Sequence, residues 1–183
     1  MAKTQDPTDI ARQVILSSDR AALATILDEA VPQREGTYPY ASLVLVAFDT
    51  DLSPLLLIST LAEHTRNLAR SPRASLLFDA TQGLADPLTG ARVTLVGEAA
   101  RVENERLMAR YVARHPSAEL YKGFRDFGLW RLAPARAHLV AGFGRIHWLD
   151  AVALRPPAAA AAAIAAAEPS ILAHMNDDHA ATI

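Results

Sequence analysis

Residues 55–78 read LLLISTLAEHTRNLARSPRASLLF, and their order decides the fold. The apolar run 54–59 (PLLLIS) has the length and composition of a buried strand. Thr60 and Glu63 then stand at capping-box spacing, so a helix is expected from there to about Arg70, where Pro72 stops it. Residues 73–79 (RASLLFD) form a further strand. A single helix thus interrupts two strands. Upstream, 41–48 (ASLVLVAF) reads as a strand, and Asp49-Thr50-Asp51 as the turn of a hairpin with 54–59. Before it, 32–40 (PQREGTYPY) reads as a loop, 21–28 is open between helix and strand, and a helix runs from Asp6 to about Ser18 with Pro7 in its first turn. Downstream come a breaker-rich loop at 81–90, a long strand at 92–102 and a helix at 103–114. Gly97 suggests a bulge or close contact in that strand. Residues 129–148 read as two strands meeting near Gly142-Phe143-Gly144. Pro156-Pro157 closes the domain, and the alanine tract and residues 171–183 are expected to be helical.

The long strands are continuously apolar, and helices are inserted singly. That pattern favours a mainly β fold, a closed or half-closed barrel with helices, over a doubly wound sheet. No glycine-rich strand-to-helix turn or Walker loop is present.

Composition narrows the function classes. The chain has 183 residues, 51% hydrophobic and 21% charged, which suits one ordinary domain with a short appendage. A net charge of −2 argues against a general nucleic-acid binder. The absence of cysteine excludes disulfides, thiolate metal sites and cysteine nucleophiles. The N-terminus lacks an apolar signal core, and the alanine tract reads as too short and too weakly apolar to span a bilayer; the expected location is the cytoplasm, with no membrane partner.

The richest chemistry lies in 59–67, S-T-L-A-E-H-T-R-N. A helix N-terminus offers backbone N–H groups and a positive dipole end. Ser59, Thr60 and Thr65 add hydroxyls, and His64 and Arg66 add cationic groups, the mixture a phosphate requires. An ordinary polar, capped helix face explains the same residues.

The run 55–78, with YASLVLVAF upstream and RVTLVGEAARV downstream, resembles the signature of the pyridoxamine 5′-phosphate oxidase-like FMN-binding split barrels. LAEHTRN, AGFGR and HMNDDHA resemble one branch, the HugZ-like haem-utilisation proteins. The likeness covers about residues 20–150 and the last dozen. It implies that 21–28 is the first barrel strand, and that residues 1–155 form the barrel domain while 156–183 are a linker and the start of a further domain. It implies a homodimer with FMN at the interface: Ser42, Leu43 and Val44 along the flavin, Ser59, Thr60 and Leu61 in the turn, and His64, Thr65, Arg66 and Asn67 reaching the phosphate or ribityl chain. Arg92 falls where the oxidases place a glutamine near the flavin ring. The implied function is an FMN-dependent oxidoreductase of unknown small-molecule substrate, with haem binding or haem degradation as the alternative.

Departures from the oxidases bear on both readings. Ser42 replaces an arginine and His64 a lysine, so two permanent charges become a hydroxyl and a titratable ring. Ala47 and His115 replace the lysine and arginine that hold the oxidase substrate, and only Tyr111 is retained, which argues against pyridoxamine phosphate as substrate. Trp130 and Arg131 fall near the oxidase active site; Arg145 is a second-rank anion contact. His138, His147, His174 and His179 are candidate haem ligands. The spacing of His174, Asp177, Asp178 and His179 does not suit a zinc site, so no metal centre is expected.

Overall fold

A computed structural model describes residues 5–27 and 36–178, the last three by backbone alone. In chain order the elements are α1 (Pro7–Ser17), β1 (Arg20–Leu27), β2 (Tyr38–Leu45), β3 (Ala47–Phe48), β4 (Pro54–Ser59), α2 (Glu63–Arg70), β5 (Arg73–Asp79), β6 (Ala91–Arg101), α3 (Glu105–Arg114), β7 (Phe127–Ala141), β8 (Ile146–Asp150), α4 (Ala151–Leu154) and α5 (Ala158–Asp178). The strands form one curled sheet in the order β2-β1-β5-β6-β7-β4-β3, and β8 also pairs with β7. Every pairing is antiparallel. The 15-residue β7 makes this possible: residues 127–131 hold β4 and residues 136–140 hold β8.

The inner face of the curl is closed by Leu23, Leu56, Leu76, Phe78, Val93 and Leu95 with Val14 and Ile15 of α1. A second cluster packs Leu107 and Tyr111 of α3 onto Leu55, Leu57 and Leu129. Strand β4 is therefore buried on both faces, which explains why PLLLIS is continuously apolar rather than alternating. Segment 21–28 is a strand as far as Leu27; Asp28 lies outside the described residues.

Three local expectations need correction. Residues 41–48 are not one strand. They break at Val46, whose N–H bonds to the Asp19 carbonyl at 2.9 Å, and only Ala47 and Phe48 pair with β4. The break carries the chain from β2 at one sheet end to β3 at the other, the split of the half-barrel. Residues 38–40 are strand rather than loop, and Pro39 is tolerated because β2 is an edge strand. The capping box does not form: α2 starts after Ala62 with no side-chain cap. Its place is taken by a tighter turn in which Ser59 Oγ accepts from Leu61 N at 3.1 Å.

The expected irregularity at Gly97 is present. The β6–β7 register shifts between Val96 and Gly97, and a Cβ at Gly97 would lie 2.2 Å from the Ala133 carbonyl oxygen. Gly142 and Gly144 adopt φ of +87° and +76° in the β7–β8 turn.

Helix α5 is mostly exposed. Its window Ala158–Met175 is long and apolar enough to cross a membrane by length and composition, contrary to the sequence expectation, yet Glu168 within it is tied to the barrel. Glu168 pairs with Arg110 and lies 3.6 Å from Arg106, which in turn meets Asp49 at 2.7 Å.

Candidate functional site

The strand-to-helix turn brings together some of the predicted residues. Ser42 projects from β2 toward α2, where its Oγ lies 3.0 Å from His64 Nδ1. Burial holds the His64 imidazole below its ordinary pKa of 6.5 and so favours the neutral ring. Ser59 Oγ donates to Asp126 Oδ2 at 2.7 Å, and Thr60 N donates to the Asp126 carbonyl at 2.7 Å. Asp126, which sequence reading missed, thus fixes the end of β4; its separation of 67 residues from Ser59 leaves no local signal.

Strand alternation and helix periodicity spread the other predicted residues over different surfaces. Leu43 is exposed on the outer sheet face, where it lines an open groove of about 730 Å³ with Arg20, Ala22 and Leu77. Val44 points into the core. Leu61 is exposed. Thr65 and Asn67 are buried: Asn67 Nδ2 donates to Thr25 Oγ1 at 3.0 Å, while Thr65 Oγ1 and Asn67 Oδ1 have no hydrogen-bond partner. Arg66 is tied to Glu63 one helical turn away. Arg92 donates to the Leu88 and Gly90 carbonyls, both at 3.3 Å. Tyr111, the one residue retained from the oxidase substrate clamp, is buried in the α3 cluster, and burial pushes its phenol pKa up.

This turn fits a flavin phosphate poorly. Its two basic side chains are an imidazole whose burial disfavours the charged form and a half-exposed guanidinium paired with Glu63, and the Asp126 carboxylate engages the Ser59 hydroxyl that a phosphate would use. Helix α2 does begin with uncapped backbone N–H groups, but among the described residues the one guanidinium of the turn, Arg66, is paired with Glu63.

The outer sheet face has a different character. One row runs Leu43, Ala22, Leu77, Thr94, His138, Trp148 across β2, β1, β5, β6, β7 and β8. Leu43, Leu77 and Trp148 are exposed, as is Ile146 beside them. His138 lies against Trp148 with ring centroids 4.6 Å apart, and the Arg136 guanidinium lies 4.6 Å from the Trp148 ring centroid. The period-two alternation of 136, 138, 140 and of 146, 148, 150 is the sequence signal that could have found this face.

Among the described residues, no group of histidine and acidic side chains is arranged to hold a metal ion. His179 lies outside the described residues.

Residues 2–153 match the family described as "CREG, beta-barrel". The chain belongs to the CREG β-barrel family. The split-barrel, pyridoxamine phosphate oxidase-like class implied by the sequence is thereby borne out. This CREG β-barrel is 33% identical over 180 residues to the chloroplastic non-canonical heme oxygenase HOZ of Arabidopsis thaliana, with 94% of the chain and 53% of HOZ covered. The chain spans about half the length of that curated relative. A heme binding protein from Mycobacterium smegmatis is 32% identical, with 96% of this chain and 70% of that one covered and a TM-score of 0.73. A protein of unknown function from Agrobacterium tumefaciens C58 is 29% identical, with 97% and 72% covered and a TM-score of 0.79.

Proposed function

We propose that this CREG β-barrel is a haem-binding protein that supports oxidative haem breakdown. One observation carries the reading: two relatives about one-third identical over nearly the whole chain are, by name, a haem oxygenase and a haem-binding protein. The chemistry of the surfaces favours haem over flavin. Among the described residues a doubly charged phosphate finds at the Ser59–Asn67 turn only a guanidinium paired with Glu63 and a half-buried imidazole, whereas the outer face offers apolar area with imidazole and guanidinium groups. Haem, when bound, supplies a redox-active iron. The chain supplies the apolar bed, the ligand to iron and charges for the propionates.

We also propose that two copies pair across the outer face with the ligand between them. Leu43, Leu77, Ile146 and Trp148 leave too much apolar surface on one side of the sheet for a lone chain. The division at Pro156-Pro157, with 156–183 as a tether, is part of the same proposal.

The test is absorption spectroscopy of the purified protein with haemin, and separately with FMN, after gel filtration. A Soret band co-eluting with protein, which decays when ascorbate is added in air, is the expected outcome. A retained flavin spectrum without haem uptake would replace this reading with the flavoprotein one.

A further inference from the structure

Haem binding leaves open which residue meets the iron. We infer that His138 would hold the iron of a haem bound at the outer face of β6, β7 and β8, an inference that rests on the proposed function and locates its site.

The register fixes the surroundings of His138. Thr94 and Trp148 flank it on the neighbouring strands. Along the strands, the next outward positions on β7 are Arg136 and Val140. Val140 pairs with Arg92 on one side and Ile146 on the other, and Arg136 pairs with Val96. By ordinary sheet spacings this block measures about 10 Å by about 13 Å, comparable with a porphyrin ring. Its centre is an imidazole, much of its area is apolar, and guanidinium groups stand at both ends, Arg136 over Trp148 and Arg92 with one nitrogen donating to the Leu88 and Gly90 carbonyls. Those are the three demands of haem: a nitrogen ligand, contact with the ring, and cations for propionates. Asp150, the acid at its corner, is engaged by accepting from Val152 N at 3.0 Å.

His138 is also the histidine best placed for ligation. It is half-buried and stacked on Trp148, and among the described residues neither ring nitrogen has a hydrogen-bond partner. Side chains stand off a sheet, so the ring edge projects away from the backbone toward a flat ligand. The other described histidines are committed or face elsewhere. His64 Nδ1 meets Ser42, and His115 is buried with Nε2 3.0 Å from the Val46 carbonyl. His147 alternates to the opposite face of β8 from Trp148. His174 has an interaction of its own on α5. Trp148 would position the imidazole and supply ring contact.

The experiment titrates haemin into the full chain and into His138→Ala, His138→Gln and His174→Ala, with circular dichroism confirming the fold. The readouts are the Soret position and the iron–imidazole signature in resonance Raman and electron paramagnetic resonance spectra. We expect the imidazole signature in the unmodified chain and its loss in both His138 variants, with haem binding at least tenfold weaker. Free imidazole should restore the signature in His138→Ala. Unchanged spectra in the His138 variants, or loss confined to His174→Ala, would overturn the assignment while leaving haem binding intact. Failure of the unmodified chain to take up haem would overturn the function and the assignment together.

Discussion

Ser42 Oγ lies 3.0 Å from His64 Nδ1, so a hydrogen bond joins edge strand β2 to helix α2. By the resemblance read from the sequence, the pair would fall where the flavin oxidases carry two fixed cations. A hydroxyl on a neutral, partly buried imidazole has no net charge to offer a phosphate. It closes the turn structurally instead.

That burial gives the protein a pH dependence. The His64 pKa is lowered from 6.5 in the folded state, so the unfolded chain takes up the proton first as pH falls. The stability gained from keeping the ring neutral is fully present above about pH 6.5 and is lost as pH drops through the lower folded value. Urea midpoints measured between about pH 7.5 and pH 5.5 should fall more for the unmodified chain than for His64→Gln. Parallel curves would show that His64 is not the responsible group.

Gly97 should tolerate no side chain. A Cβ there meets backbone atoms of Ala133 and Pro134 at 2.2 Å and 2.9 Å, and backbone cannot rotate away as a side chain can. Gly97→Ala should destabilise the barrel by ~2–4 kcal/mol in chemical denaturation. Gly144→Ala meets nothing within 4 Å but sits at φ +76°, so its cost should be smaller, ~1 kcal/mol. Equal costs would mean that strand β7 shifts to relieve the close approach at Gly97.

Thr25 and Asn67 test the packing beneath α2. Thr25→Val leaves the buried Asn67 amide without its 3.0 Å partner and should cost ~1–3 kcal/mol of stability. An unchanged melting temperature would mean that another group satisfies Asn67.

Glu168 holds α5. Its carboxylate faces Arg106 and Arg110, while most of the helix is exposed. Glu168→Gln should weaken the attachment by ~1–2 kcal/mol and raise hydrogen exchange in α5 before the barrel is affected. Exchange that rises equally in α5 and β6 would show one cooperative unit and remove the proposed division at Pro156-Pro157.

Leu43 reports on association. It is 70% exposed in one chain, and Leu43→Glu places a charge in the proposed two-fold contact. Light scattering at micromolar concentration should show a dimer for the unmodified chain and a shift toward monomer for the variant. A monomer in both would remove the pairing.

The sequence by itself determined the fold class and most of the elements, though not the break at Val46, the strand at 38–40 or the start of α2. Strand 73–79, the Gly97 irregularity and the β7–β8 turn at Gly142 and Gly144 follow from local rules: apolar runs of strand length, and glycine where the backbone needs it. The Ser59–Asn67 turn was legible as a turn. What it can hold was not, because that depends on partners remote in sequence: Asp126 for Ser59, Ser42 for His64, Thr25 for Asn67. The tertiary structure alone decided that 41–48 divides between the two ends of the sheet, since the choice between strand partners is a matter of closure and burial, not propensity. It alone decided that His138, Trp148 and Arg136 meet on one outer face. Period-two alternation placed each on a side of its own strand, but only the pairing register of β7 with β8 set them opposite one another.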